Sequence, residues 1–249
     1  MIPDLAVLEL VAAAAIVLLA STVFSALGFG IGLVSMPLLL LMFDAQTAVV
    51  TMESVTLPIV VLILARNRSY LRIRETLPIA VAGLIGGLVG SFVLKNADSG
   101  PLSIAILILI LTFTALHIAN LNFTWPWPRV TGPAVGLIVG VLIISTGVGG
   151  PLLVMFLLAR GWDRHVLRVS LALYFVFMES AGIAGFVVGG LYTPERLTIL
   201  AAVLVPCLLG FWLGNGLAYR MSDVVFRRAI IGLILIASVV GLVRQIGQI

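Results

Sequence analysis

Two glycine-rich stretches, Gly28-Phe29-Gly30-Ile31-Gly32 and Gly147-Val148-Gly149-Gly150-Pro151, interrupt long apolar runs of this chain. They fall at corresponding places in its two halves. A helix that breaks at bilayer depth leaves N–H and C=O groups that hydrocarbon cannot satisfy, so such backbone persists only where it lines a cavity within the protein. Paired breaks of this kind are typical of the substrate site of a secondary transporter. The two stretches therefore predict a membrane fold and the position of a binding site.

The composition of the chain agrees with a location in the membrane. Of the 249 residues, 62% are hydrophobic and only 10% are charged, and the mean hydropathy is +1.28. A soluble domain cannot hide so much apolar surface with so few charges, so we expect an integral membrane protein without a second domain. The pI of about 9.8 reflects arginines gathered in short loops, which is typical of membrane topology. We therefore expect the lipid bilayer as a partner and no nucleic acid.

Six apolar runs are long enough to cross a bilayer as helices, which takes roughly 20 residues. Two further apolar runs, 5–43 and 132–160, contain the glycine stretches. The part of the second run that follows its glycines would span only ~15 Å as a helix, against a hydrocarbon core of ~30 Å. Each broken run is therefore either one kinked crossing or a hairpin that returns to the face it entered. The six uninterrupted runs are 46–65, 76–95, 102–119, 167–190, 196–218 and 225–246.

The positions of the 14 lysines and arginines distinguish these two arrangements. If each broken run crosses once, seven basic residues fall on each face. If both runs are hairpins, eleven fall on one face and only Lys95, Arg196 and Arg244 remain on the other. Cytoplasmic loops carry the excess of positive charge, so the sequence favours two hairpins and six full crossings. Both termini are then extracytoplasmic, and labelling of an engineered terminal cysteine from the cytoplasmic side alone would contradict this topology.

These assignments divide the chain into two halves of one design. The first hairpin opens outward and the second toward the cytoplasm, so the halves are inverted repeats whose apices approach each other. The predicted fold is an all-α integral membrane protein of two inverted repeats, each a broken V-shaped helical hairpin followed by three transmembrane helices. Its oligomeric state stays open. The parts are a first repeat 1–119 with hairpin 5–43 and apex 28–32, a linker 120–131, and a second repeat 132–249 with hairpin 132–160 and apex 147–151.

The two apices have the chemistry of a site for a small anion. After a helix break, the new half-helix presents unpaired N–H groups and the positive end of its dipole. Glycine lets backbone approach a ligand closely, and Pro151 suits the first turn of a helix. Short hydroxyls lie nearby, and Arg168 begins a span from which its side chain can turn inward. The candidate substrate-binding residues are Gly30, Gly32, Ser35, Ser145, Thr146, Gly147, Gly149, Gly150 and Arg168.

The alternative for the glycines is a purely structural role, in which small residues let helices pack closely. That interpretation fits the glycines that recur within uninterrupted runs. The recurrence of the broken stretches in both halves favours binding there. The glycines assigned to packing are Gly83, Gly86, Gly87, Gly90, Gly210 and Gly214.

Two acidic residues, Glu53 and Glu179, lie near the middle of predicted spans, and both occur in the tripeptide Met-Glu-Ser. Either a longer cytoplasmic connection in the second repeat, 160–168, brings the two tripeptides into the same repeat register, or their match is a coincidence. An ionised carboxylate at mid-bilayer is costly. Either the glutamates take up and release protons and so couple transport or gate it, or they stay protonated and hydrogen-bond neighbouring helices. The sequence leaves both alternatives open.

Motifs for other functions do not occur in the chain. No His, Cys, Asp and Glu cluster has metal-ligand spacing, and no Gly-x-x-x-x-Gly-Lys stretch for nucleotide binding is present. No nucleophile elbow or His-Glu-x-x-His motif is found either. We therefore expect no cofactor and no enzyme.

The chain resembles the sulfite exporter TauE/SafE family. The resemblance rests on the first glycine stretch followed by Pro37-Leu38-Leu39, on the second followed by Leu152-Leu153, and on Arg168-Val169-Ser170-Leu171 after a short basic loop. It implies export of a small sulfur-containing anion, sulfite or an organosulfonate, across the bacterial cytoplasmic (inner) membrane. Transport is then driven either by a proton, through Glu53 and Glu179, or by the anion gradient alone. The alternatives are a proton or cation transporter centred on Glu53 and Glu179 and, less favoured, an intramembrane enzyme.

Overall fold

The structure, a computed structural model, describes residues 7–27, 30–119, 127–217 and 223–246. The described residues form ten α-helices and one 3₁₀ turn, Arg68–Tyr70, with no strand among them. The all-α prediction is confirmed. The helices are α1 (Val7–Leu27), α2 (Ile31–Leu39), α3 (Ala45–Asn67), α4 (Ile73–Asn96), α5 (Ser99–Ile118), α6 (Pro128–Thr146), α7 (Gly150–Leu158), α8 (Arg164–Gly189), α9 (Pro194–Leu217) and α10 (Asp223–Ile246).

Six helices of the described part are long and apolar enough to cross a membrane: α1, α3, α4, α5, α8 and α9. Five of these helices, all except α1, lie on predicted spans. The remaining predicted span is covered by α10, which has 24 residues. α1 instead lies within the first predicted hairpin, where Val7–Ser25 meets the criteria for a crossing helix. These helices confirm a multi-pass membrane protein, while the inverted repeats stay a prediction.

Both predicted breaks separate a long helix from a short one. α2 and α7 have nine residues each, which corresponds to ~13 Å of helix. Gly28 and Phe29 of the first predicted apex lie outside the described residues, as do residues 120–126 of the predicted linker. α6 begins at Pro128, four residues before the predicted start of the second hairpin.

The helices that follow the two breaks keep the same spacing. The starts of α2 and α7 lie 119 positions apart, and so do the starts of α3 and α8. Asp44 and Asp163 cap the N-termini of α3 and α8, because the Asp44 carboxylate accepts from Thr47 N–H at 3.1 Å and that of Asp163 accepts from His165 N–H at 2.9 Å. The N–H groups of Val166 and His165 hold the pKa of Asp163 below its usual range.

Glycines bring α4 close to two neighbouring helices. A Cβ at Gly86 would lie 2.3 Å from the Leu137 carbonyl oxygen of α6, and one at Gly87 would lie 2.5 Å from the Met178 oxygen of α8. Gly210 and Gly214 of α9 pack in the same way against the backbone of α1. The packing role assigned to these glycines is confirmed.

The same contacts give the relative directions of neighbouring helices. Along α4, Ile79 faces Gly136, Gly83 faces Gly140, and Gly90 faces Ile144, so α4 and α6 run in the same direction. Along α9, Gly210 meets Leu18 and Gly214 meets Thr22, so α1 and α9 also run in the same direction.

α3 and α8 run in opposite directions. At one end, Arg196 bonds both Thr47 at the start of α3 and the Leu191 carbonyl just after α8. At the other end, the Tyr70 ring after α3 stacks on His165 in the first turn of α8, with centroids 5.1 Å apart. The two broken segments lie against this central pair.

Candidate functional site

A cavity opens where the two broken segments meet helices α3 and α8. It encloses about 420 Å³ of free space, which includes the part that opens outward. Seven of the predicted site residues line it: Gly30, Gly32, Gly147, Gly149, Gly150, Glu53 and Glu179.

The two broken segments touch through their backbones. A Cβ at Gly32 would lie 1.8 Å from the Gly147 carbonyl oxygen, and a Cβ at Gly147 would lie 2.8 Å from the Met36 sulfur. Any side chain at position 32 would displace the other segment. Glycine is therefore needed at Gly32 for this close approach.

The first half-helix begins at the cavity. Gly30 adopts φ 91°, a left-handed conformation that favours glycine, and turns the chain into α2. The first intrahelical bond runs from Val34 N–H to the Gly30 carbonyl at 3.3 Å. The N–H groups of Ile31, Gly32 and Leu33 precede that bond, and among the described residues, which leave out Gly28 and Phe29, no partner is found for these donors of the helix end. All three residues line the cavity.

The second half-helix begins on the other side of the same space. Gly147, at φ 72°, ends α6, and its N–H donates to the Ile143 carbonyl at 2.7 Å. α7 starts at Gly150, and Pro151 occupies its first turn, where the missing N–H costs nothing. Two helix N-termini therefore converge on one cavity, as the sequence predicted for the apices.

Glu53 of α3 and Glu179 of α8 bring carboxyl groups to the cavity wall. Glu53 is 4% exposed and Glu179 is 2% exposed, so both side chains are buried. The two groups lie near enough for their charges to interact. One oxygen of Glu179, Oε2, is buried without a hydrogen-bond partner among the described residues.

The Met-Glu-Ser tripeptides do not occupy the same register. The turns that follow α2 and α7 are equally long, residues 40–44 and 159–163, so the predicted longer connection at 160–168 is wrong. Counted from the first residue of its own helix, Glu179 of α8 lies seven positions further along than Glu53 of α3, which corresponds to ~10 Å. Because α3 and α8 are antiparallel, this shift lets the two carboxyl groups reach the same cavity.

Four predicted site residues lie outside the cavity lining. The hydroxyl groups of three of them donate to backbone carbonyls: Ser35 to Ile31 at 2.8 Å, Ser145 to Val141 at 2.6 Å and Thr146 to Leu142 at 2.6 Å. Arg168 lies in the second turn of α8 and is not among the lining residues. Their binding role stays a prediction.

The cavity also contains apolar residues that the sequence did not single out, among them Phe24, Ile143 and Phe175. Phe24 and Ile143 each lie four positions, about one turn, before the first glycine of a broken stretch. Their position one turn before the glycines is the feature of the sequence that could have identified Phe24 and Ile143 as cavity residues. Their apolar character alone does not distinguish them from the rest of each helix.

Metal ligation has no support in the described part of the chain. No group of three or more His, Cys, Asp or Glu residues that could hold a metal ion is found there. The roles that remain for Glu53 and Glu179 in the cavity are exchange of protons and contact with a ligand.

Comparison with known proteins gives one match. A family model described as "Sulfite exporter TauE/SafE" matches residues 13–241. No curated protein and no solved structure matches the chain. The family comprises membrane permeases, which are transporters and not enzymes. Since the match covers most of the 249 residues, the chain belongs to the sulfite exporter TauE/SafE family.

Proposed function

We propose that this permease is a secondary transporter that exports a small sulfur-containing anion, sulfite or an organosulfonate, through alternating access around the cavity. The observation that carries the proposal is the convergence of two half-helix N-termini on one cavity. Each end contributes a partial charge of about +0.5, but α7 offers fewer free N–H donors than α2, because Pro151 has no N–H and the Leu152 N–H bonds the Gly149 carbonyl at 3.1 Å. Oxygen atoms of a sulfite or sulfonate group can accept such donors from both sides.

Helix directions support the two-hairpin topology. α1 runs in the direction of α9, and α2 leads to Asp44, which pairs with Arg196 in the first turn of α9. The first hairpin therefore starts and ends toward one end of the molecule. α6 runs in the direction of α4, and α7 leads to Arg160, which pairs with Glu75 in the first turn of α4. The second hairpin starts and ends toward the other end.

The grouping of charges supports the same topology. Arg196 pairs with Asp44, and Arg244 donates to the Leu41 carbonyl in the turn that follows α2. Both belong to the small basic set predicted to be extracytoplasmic. At the opposite end, Arg72 and Arg160 share Glu75, as hairpins require and single crossings do not. We place that arginine-rich end in the cytoplasm of a bacterial cell and both termini outside it.

A second candidate is supported by the acidic pair. Glu53 and Glu179 line the cavity, and no lysine, arginine or histidine accompanies them among the lining residues that the structure describes. Two carboxylates with nearby backbone carbonyls are also suited to a proton or an alkali cation. In this alternative the glutamates would bind the transported ion itself.

Isotope counterflow into liposomes that contain the purified protein separates the two candidates. Vesicles are loaded with unlabelled sulfite, ethanesulfonate, acetate or sodium, and entry of the labelled form of each is followed. We expect accumulation of labelled sulfite or ethanesulfonate and none of labelled sodium. Counterflow is independent of net charge movement, so it detects exchange whatever the coupling.

The variant that tests the cavity is Gly149→Val, because a Cβ at this position would already lie 2.9 Å from Ile143 Cγ1. We expect its labelled anion counterflow to fall at least tenfold. Counterflow of sodium alone, lost in Glu53→Gln and Glu179→Gln, would instead establish the cation alternative.

A further inference from the structure

Helix ends of both polarities meet at the cavity. The N-terminal ends of α2 and α7 open onto it, and the last turns of α1 and α6 contribute Phe24 and Ile143 to its wall. A helix N-terminus carries a partial charge of about +0.5 and a C-terminus one of about −0.5. The four ends together therefore contribute about no net charge, and the cavity is dipolar rather than positive.

Each polar side chain of the cavity wall offers an acceptor. Glu53 and Glu179 are the side chains that can ionise among the lining residues that the structure describes. A carboxyl group presents at least one acceptor oxygen in either protonation state. The third polar side chain of this lining, Thr56, donates its hydroxyl hydrogen to the Met52 carbonyl at 2.7 Å, so toward a ligand its oxygen can only accept. A ligand beside these side chains is therefore expected to carry a hydrogen-bond donor.

Glu179 has an oxygen that the described part of the protein leaves unpaired. The residue is 2% exposed, and its Oε2 atom has no hydrogen-bond partner among the described residues. Two polar neighbours of the acidic pair direct their hydrogens elsewhere. The Tyr174 hydroxyl donates to the Gly136 carbonyl at 2.7 Å, and the Cys207 thiol donates to the Val55 carbonyl at 3.8 Å. Because buried polar atoms are ordinarily paired, this oxygen on the cavity wall indicates that a donor of a ligand belongs beside it.

The remaining wall favours an ammonium group as that donor. Phe24 of α1 and Phe175 of α8 lie in the same lining as Glu53 and Glu179. Aromatic rings attract ammonium groups through their electron-rich faces, and they also cover the CH₂ groups of a short chain. Buried acids are ordinarily paired with a cation or fully hydrogen-bonded. A neutral hydroxyl would supply a hydrogen bond to Glu179 without the charge that pairs with an acid.

We propose that the cavity binds a small zwitterion, an aminoalkanesulfonate, with its sulfonate oxygens at the N-terminal ends of α2 and α7 and its ammonium group at Glu179 Oε2. The proposal rests on the proposed function and names the class of organosulfonate that the same cavity takes. Such a ligand supplies both the acceptors for the helix N-termini and the donor for the acidic wall. Because it carries no net charge, it meets less repulsion from two buried acids than an anion alone does. Glu179 then selects among sulfonates.

Three sulfonates of similar size test the proposal: ethanesulfonate, 2-hydroxyethanesulfonate and 2-aminoethanesulfonate. They end in a methyl group, a neutral hydroxyl and an ammonium group, respectively. Each is added unlabelled, as a competitor, to counterflow of ³⁵S-ethanesulfonate in liposomes that contain the purified protein. We expect 2-aminoethanesulfonate to inhibit at about one tenth of the concentration that the other two require, the effect of one charge-assisted hydrogen bond. Ethylammonium, the cation without the sulfonate, should require a higher concentration than 2-aminoethanesulfonate, and labelled 2-aminoethanesulfonate should itself exchange.

Glu179→Gln tests the residue proposed to hold the ammonium group. Glutamine keeps the shape of the side chain and an acceptor oxygen, but it cannot carry the negative charge that pairs with an ammonium group. The ratio of the inhibitory concentration of ethanesulfonate to that of 2-aminoethanesulfonate should therefore fall from about ten to about one. A purely structural role of Glu179 would change both concentrations alike and leave the ratio in place. Glu195→Gln, the same substitution at an exposed position of α9, is the matched control and should keep the wild-type ratio.

The outcomes separate this inference from the function beneath it. If ethanesulfonate or 2-hydroxyethanesulfonate inhibits as strongly as 2-aminoethanesulfonate, or if Glu179→Gln keeps the wild-type ratio, the inference is overturned and the transporter assignment stands. Inhibition by ethylammonium as strong as that by 2-aminoethanesulfonate also overturns it, because the sulfonate then contributes nothing. Failure of sulfite and of all three sulfonates to exchange overturns the assignment and the inference together. If Glu179→Gln does not fold, the order of the three sulfonates in the wild type still decides the question.

Discussion

The half-helices α2 and α7 are equally long, begin at glycine breaks and lead into long helices capped by aspartate. Their far ends are held in place by ion pairs of opposite polarity. Beyond α2, the acid Asp44 pairs with the base Arg196, the third residue of α9. Beyond α7, the base Arg160 pairs with the acid Glu75, the third residue of α4.

The two anchors differ in their surroundings. The Arg196 side chain is 11% exposed, and its guanidinium donates to the Leu191 carbonyl at 2.9 Å, to Thr47 Oγ1 at 3.0 Å and to Gln46 Oε1 at 3.1 Å. It thereby connects the start of α9 with the turn after α8 and with the start of α3. This anchor is a part-buried network in which the ion pair to Asp44, at 3.6 Å, is only one contact.

The anchor beyond α7 is simpler and more open. Arg160 contacts Glu75 at 2.6 Å, and the two side chains are 22% and 40% exposed. Its guanidinium also lies over the Trp162 ring, 4.7 Å from the centroid. Exposed ion pairs contribute little to stability because water and salt screen them. The two anchors thus differ in their arginines, since Arg160 is more exposed than Arg196 and makes fewer hydrogen bonds, while the acids Asp44 and Glu75 are 45% and 40% exposed.

The breaks themselves also differ. At the second break the Thr146 hydroxyl bridges the gap, since it lies 2.6 Å from the Leu142 carbonyl and accepts from Val148 N–H at 3.3 Å. At the first break the nearby hydroxyl, Ser35, instead bonds within the first turn of α2. The hydroxyl therefore ties Val148 of the second break to the end of α6, and no equivalent bond is found at the described residues of the first break, which leave out Gly28 and Phe29.

The largest expected effect comes from the contact between the breaks. Gly32→Ala would place a methyl group 1.8 Å from the Gly147 carbonyl oxygen, which is backbone and cannot rotate away. Overpacking of this kind costs about 3 kcal/mol or more. We expect a lower melting temperature in detergent, measured by size-exclusion chromatography after heating, and at least a tenfold loss of anion counterflow.

Gly100→Ala is the matched control for this substitution, because a Cβ at that position would meet nothing within 4 Å. It should behave as the wild type in both assays. Equal behaviour of the Gly32 and Gly100 variants would contradict the close approach of the two broken segments.

The second expected effect tests the difference between the anchors. Arg196→Ala leaves the partners of a buried guanidinium unsatisfied, at a cost of about 2 kcal/mol, whereas Arg160→Ala removes a half-exposed pair worth at most about 1 kcal/mol. The fall in melting temperature should therefore be larger for Arg196→Ala. High salt should reduce the difference between Arg160→Ala and the wild type.

Arg68→Ala, at an exposed position of the 3₁₀ turn, provides the control for loss of an arginine. It should leave the melting temperature unchanged. Equal losses for the variants at positions 160 and 196 would show that burial of the network does not distinguish the two anchors.

The sequence predicted the parts of this site that follow from local chemistry. Glycine stretches inside apolar runs marked the ends of half-helices, and lone glutamates in such runs marked the acidic wall of the cavity. Both signals are local, because hydrocarbon does not tolerate a broken helix or a carboxylate without a reason. The anchors could not be predicted, since Arg196 and Asp44 lie 152 positions apart and the sequence alone explained Arg196 as a topology signal.

The sequence also did not predict the relative positions of Glu53 and Glu179 along their helices. Matching tripeptides around Glu53 and Glu179 favoured equivalent places in two repeats, yet the helix spacing separates them by seven positions. Two antiparallel helices bring such positions to similar depth, and that depends on how the helices pack. A short tripeptide match carries no information about packing.

The smallest expected effect concerns the bridge at the second break. Thr146→Val keeps the shape of the side chain and removes its hydroxyl, which leaves the buried Val148 N–H without that acceptor and costs about 1 kcal/mol. Because the hydroxyl serves backbone groups of its own segment, we expect a modest fall in melting temperature and an unchanged KM for anion uptake. Thr112→Val is the matched control, since the Thr112 hydroxyl bonds the Ile108 carbonyl at an exposed position of α5. A tenfold rise in KM without loss of stability would assign the Thr146 hydroxyl to the anion. The Thr146 hydroxyl would then contact the anion as well as the backbone of its own segment.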